Sequence, residues 1–169
     1  VAYLYSSMQK QVIYIHLKGY LGEWLVNRFG YPVKFPSRSW ENIIIARNLA
    51  KKTLATPEQP FDTDGLIPVV VPSVSGKVFT LYNHFPHRAE EELLAAIESL
   101  FRLDMYYSLI SCVTSHSIND QIDAWCGNRG IIPDHREAVR QKFYRIRRDY
   151  EKNGVILRKK YIKKLNNVN

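Results

Sequence analysis

Val139, Phe143, Ile146 and Tyr150 recur at the i, i+4, i+7, i+11 spacing that sets four side chains on one face of an α-helix. That face must be covered, and Arg140, Tyr144, Arg147 and Arg148 then fall beside it, projecting from a rigid rod. Ahead of this helix, Ser117-Ile118-Asn119-Asp120 is close to a capping box, and Ile118, Ile122 and Trp125 form the stripe of a shorter helix that Gly127 and Gly130 end. Pro133 and Asp134 introduce the Arg-rich helix and Gly154 closes it. A longer helix is expected from Arg88 to about Ile110. Leu93, Ile97, Leu100 with Phe101, and Leu109 make its apolar face, and Glu90, Glu91 and Glu92 lie in its first turn, where negative charge suits the helix dipole. Three consecutive amphipathic helices, the last one basic, are the pattern of a helix-turn-helix-like trihelical unit, although the Gly127–Pro133 connection is longer than the narrow motif uses.

The preceding residues read differently. Gln11 to Lys18 alternates Ile13, Ile15 and Leu17 against Val12, Tyr14 and His16, which is strand periodicity. Tyr20 to Phe29 reads as a helix with Leu21, Leu25 and Phe29 in register and Gly30 closing it. Val33 to Phe35, bracketed by Pro32 and Pro36, predicts a short edge strand. Ser39 caps a helix expected from Trp40 to about Lys52, with Trp40, Ile43, Ile44 and Leu49 inward. Leu66 to Val71 and Lys77 to Tyr82 read as a hairpin turning at Ser73 to Gly76. The fold class expected is therefore α+β: a small N-terminal α/β layer of order β-α-β-α-β-β over residues 8–83, then a helical, basic module with a basic tail over residues 87–169. Met8, directly before the first strand, marks the expected start of folded structure, and Val1 to Ser7 lacks the charged and apolar regions of a signal peptide.

Charge supplies the functional expectation. The net charge is +8, but it is not spread evenly. From Arg129 to Lys164 there are 13 Lys/Arg against 4 Asp/Glu, so this stretch carries +9 and the rest of the chain −1. A neutral body with a cationic end reads as a surface for a polyanion. The residues expected to meet nucleic acid are Arg136, Arg140, Tyr144, Arg147 and Arg148 on the helix, with Arg158, Lys159, Lys160, Lys163 and Lys164 on the tail as phosphate contacts. The expectation is a non-enzymatic DNA-binding protein, with DNA favoured over RNA and a protein partner or self-association through the N-terminal layer. A scaffold whose basic end binds an acidic partner is the alternative, because a charge run can also be a solvated face.

Other chemistries are thinly supported. His84-x-x-His87 and Cys112-x-x-x-His116 have spacing that four metal ligands could use, which is the basis for a third reading as a metal-dependent nuclease. The bland alternatives are loop histidines beside Pro86 and an apolar cysteine. Asp62-x-Asp64-Gly65 resembles the start of a calcium loop without the rest of its ligands. The sequence contains no Gly-rich phosphate loop and no Gly-x-Ser-x-Gly elbow. Neither a cofactor nor a catalytic residue is expected. Two cysteines without CxxC spacing argue against a disulfide framework, and the apolar runs fall well short of the roughly 20 residues that cross a bilayer, so a cytoplasmic protein with no membrane contact is expected.

Two blocks, Tyr20-Leu21-Gly22-Glu23-Trp24-Leu25 followed by Pro32-Val33-Lys34-Phe35-Pro36, and Ala124-Trp125-Cys126 followed by Arg140-Gln141-Lys142-Phe143-Tyr144-Arg145, resemble small uncharacterised proteins of bacterial phages and transposable elements. The resemblance favours DNA over RNA as the nucleic acid, and the DNA-binding protein expected is a regulator or accessory factor of a mobile element. The resemblance implies no activity and no catalytic residues.

Overall fold

The computed structural model of the chain describes residues 11–17, 19–53, 65–73, 76–79, 81–110 and 117–153. Its elements are β1 (Val12–His16), α1 (Tyr20–Phe29), α2 (Trp40–Asn48), β2 (Leu66–Val70), α3 (His87–Ile110), α4 (Ile118–Asn128), a 3-10 turn (Pro133–His135) and α5 (Arg136–Lys152). The α+β class is as expected, whereas the sheet is smaller than the sequence suggested. β1 and β2 pair antiparallel, with Ile13 opposite Val69 and Ile15 opposite Ile67. The Val33 stretch shrinks to a single parallel bridge on the other edge of β2, where Val33 N donates to Pro68 O and Val70 N to Val33 O, both at 2.8 Å. Pro68 is tolerated in the middle strand because its missing N–H lies on this thinly paired side.

The expected Leu66–Val71/Lys77–Tyr82 hairpin does not form among the described residues, and the reason is geometric. β2 has two edges, and β1 and Val33 already occupy them. The second arm turns instead, with Leu81 N and Tyr82 N both donating to Val78 O. Its contribution is Lys77, whose ammonium donates to the carbonyls of Ala46, Arg47 and Leu49 at 2.8, 3.1 and 2.9 Å. A cation on the last carbonyls is a favourable helix ending. α2 accordingly stops at Asn48 rather than near Lys52, and Ala50 forms a two-way backbone bridge with His84. The inward face of α2 is Ile44 and Ile45, with Leu49 buried just past its end. Trp40 and Ile43, expected inside, are 55% and 44% exposed.

α3 is the axis around which the rest is placed. Its buried residues Ala89, Leu93, Ile97, Phe101, Met105 and Leu109 recur every four positions. Four residues turn a helix by about 400°, so the buried stripe drifts by about 40° per step and winds around the rod. Each stretch of α3 can therefore face a different neighbour. Glu92 meets Arg47 and Asn48 of α2. Phe101, fully buried, has the rings of Tyr20, Trp24 and Trp125 within 5.3–5.5 Å. Near the C-terminal end, Tyr106 stacks on Tyr150 of α5 at 5.1 Å. At the other end, Glu90 accepts the backbone N–H of His16 at 2.7 Å and so ties β1 to the helix.

The buried residues of the N-terminal elements and of α3–α5 form one cluster. Two glycines allow α1 its place within it. A Cβ on Gly22 would meet Leu17 O at 2.7 Å and Ile67 at 3.0 Å, so the helix lies directly on the sheet. Gly130, at φ 70°, would meet the Asn27 side chain at 2.9 Å, so α1 also lies against the turn before α5. Asp104 of α3 joins these parts. Its carboxylate accepts from Trp24 Nε1, Arg28 Nη1 and Arg129 Nη2 at 2.9, 3.0 and 2.8 Å.

Candidate nucleic-acid interface

α4 begins where the capping pattern predicts. Ser117 Oγ accepts from Asp120 N at 3.2 Å and donates to Asp120 Oδ2 at 2.6 Å. Ile122, Trp125 and Cys126 are buried, and burial, with Asp123 adding to it, pushes the Cys126 thiol up to about 11. The chain then turns through Gly130, buries Ile131 and starts α5 through the 3-10 turn at Pro133. Glu23 of α1 fixes that start, accepting from Ile132 N at 3.1 Å and pairing with His135 Nδ1 at 2.9 Å.

α5 buries Val139, Phe143 and Ile146, with Tyr150 half-buried, as its spacing requires. Both flanks are filled. On the α4 side, Arg140 clasps Asp123 through Nε and Nη2 and also reaches Glu137 at 3.2 Å, while the Tyr144 hydroxyl donates to Asn119 Oδ1 at 2.8 Å. The hydrogen bond to Asp123 holds the Arg140 guanidinium above its ordinary pKa. On the α3 side, Lys142 pairs with Glu98, and Asp149 faces Arg102 at 3.9 Å. Burial, reinforced by Arg145, holds the Lys142 ammonium below its usual value.

The residues expected to meet nucleic acid thus divide. Arg148 is exposed and forms no ion pair among the described residues. Arg140 and Tyr144 are committed to α4. Arg147, 22% exposed, donates to Glu151 Oε1 at 3.2 Å within α5. Arg136 is half-buried beside Gly127. Arg158, Lys159, Lys160, Lys163 and Lys164 lie outside the described residues. Two cations that sequence reading passed over join Arg148. Arg145, Arg148 and Lys152 are all exposed and form one ridge, and none of the three has an ion pair among the described residues. Their spacing is the core stripe's own shifted by two residues, or about 200° around the helix. That shift was the signal available in the sequence.

Among the described residues no three His, Cys, Asp or Glu side chains are grouped as metal ligands. His84 is engaged through its backbone with Ala50, and His87 lies 3.7 Å from both Glu90 and Glu91. Cys112, His116, Asp62 and Asp64 fall outside the described residues. No described helix is long and apolar enough to cross a membrane. No family model matches the chain, and no curated protein or solved structure matches it either. The likeness to mobile-element proteins therefore stands on the two sequence blocks alone.

Proposed function

We propose that this protein binds DNA, without a catalytic step of its own, through the outward ridge of α5 and the basic tail that follows. The observation that carries the reading is the ridge itself. Arg145, Arg148 and Lys152 stand exposed and unmatched among the described residues, in a chain whose charge outside Arg129–Lys164 sums to −1. Of the other cations on α5, Arg140, Lys142 and Arg147 are matched by Asp123, Glu98 and Glu151, and Arg136 is half-buried beside Gly127, so the exposed, unmatched cations gather on the ridge. Arg140, Tyr144 and Arg147 are engaged with α4 or within α5, and none of the three makes a hydrogen bond to the N-terminal elements among the described residues. The choice of DNA over RNA rests on the two sequence blocks.

Each neutralised phosphate contributes about 0.9 to the slope of log affinity against log salt. Three ridge cations give a slope near −2.7, and five tail cations bring it to about −7. Raising salt from 50 to 200 mM should then cost about 40-fold from the ridge alone and roughly 10⁴-fold with the tail engaged. Fluorescence anisotropy on a labelled duplex tests this directly. An affinity that stays flat across the titration would sink the reading.

A further inference from the structure

The charge displayed by α5 is graded along its length. At the N-terminal end, Asp134, Glu137, Ala138 and Gln141 face solvent, and both arginines turn aside, Arg140 onto Asp123 and Arg136 into a half-buried place beside Gly127. Three carboxylates (Asp123, Asp134 and Glu137) outnumber those two guanidinium groups. In the last two turns the order reverses, because Arg145, Arg148 and Lys152 occupy the ridge over about 10 Å of helix axis. The sequence then continues to five more cations between Arg158 and Lys164.

A helix that reads bases in a major groove sets its N-terminal residues against base edges. Here that end carries exposed carboxylates, which phosphates on both groove walls would repel. The uncharged groups able to read a base are also engaged within the protein. Gln141 Nε2 donates to Glu137 Oε1 at 3.4 Å, and the Tyr144 hydroxyl donates to Asn119. We infer that α5 meets duplex DNA through its C-terminal half, on phosphates, with its N-terminus held away from the groove, so that binding is independent of base sequence. This rests on the DNA-binding reading above and specifies which part of the DNA the site takes. The C-terminal half of α5 is then used as a clamp on the DNA backbone.

The full-length chain is tested on three unrelated 30-base-pair duplexes by anisotropy across a salt series, and on a randomised duplex pool by repeated selection. Expected are affinities within about threefold of one another, no consensus after selection, and a salt slope that falls by about 0.9 for each of Arg145→Gln and Arg148→Gln. Gln141→Ala should leave affinity for all three duplexes unchanged. A selected consensus, or discrimination between duplexes that Gln141→Ala abolishes, overturns the inference in favour of groove reading while leaving DNA binding standing. Salt-sensitive binding to none of the duplexes overturns both.

Discussion

Asp104 offers the sharpest test of how the N-terminal layer and the helices are joined. One carboxylate, 10% exposed, accepts from Trp24 of α1, from Arg28 one turn later and from Arg129 after α4. Asp104→Ala leaves the indole N–H of fully buried Trp24 without an acceptor, which costs about 1–3 kcal/mol. The two guanidinium groups are 39% and 32% exposed and can return to water, so each lost pair counts for only about 0.2–1 kcal/mol. The expected loss is about 2–4 kcal/mol, or about 5–15 °C in Tm for a chain of this size. Asp104→Asn keeps an oxygen for the indole and should lose about half as much. Urea unfolding followed by tryptophan fluorescence, with Trp24 beside the substitution, measures both. If Asp104→Ala unfolds within about 0.5 kcal/mol of the unmodified chain, the carboxylate is not the joint we describe.

Glu23→Ala removes the acceptor for Ile132 N and His135, so amide exchange over residues 131–137 should quicken, with a stability loss of about 1–2 kcal/mol; unchanged exchange there would contradict the anchoring role. Arg140→Gln unclasps α5 from α4 and should lower the urea midpoint of unfolding while leaving the salt slope of DNA binding unchanged, the reverse of Arg148→Gln. At pH 8, Cys126 should alkylate at least about 100-fold more slowly in the folded chain than in urea, because the side chain is fully buried and burial also pushes its thiol up to about 11; mass spectrometry of the labelled peptide reads this. The sign carries into stability. The folded chain keeps that proton while the unfolded one loses it, so stability should fall as pH rises from about 9 to 11.

What could be read from the sequence was local. Ser39 and Ser117 cap the helices they precede, and the Val139–Tyr150 stripe is core, because caps and periodicity depend only on near neighbours. What escaped depends on partners far along the chain. α2 ends early because Lys77, about 30 residues on, reaches its carbonyls. The hairpin at Lys77–Tyr82 fails because Val33 takes the second edge of β2. In α3 the four-residue period was visible, but its winding has meaning only once several neighbours are in place, and Met105 was missed for that reason. At the candidate site, Arg140 and Tyr144 looked free because the sequence does not show that Asp123 and Asn119 of α4 face them.

The same geometry explains why the ridge stays charged. Two of the flank cations of α5 have a neighbouring helix against them that supplies a carboxylate, Asp123 of α4 for Arg140 and Glu98 of α3 for Lys142. The ridge lies opposite the core stripe, where no described helix packs, so among the described residues no carboxylate faces Arg145, Arg148 or Lys152. Removing a flank cation therefore changes the fold as well as the charge, and a loss of DNA binding in such a variant has two explanations. Arg148→Gln removes a charge and, among the described residues, breaks no ion pair. Loss of affinity in that variant at full stability would have to come from the phosphate it no longer meets.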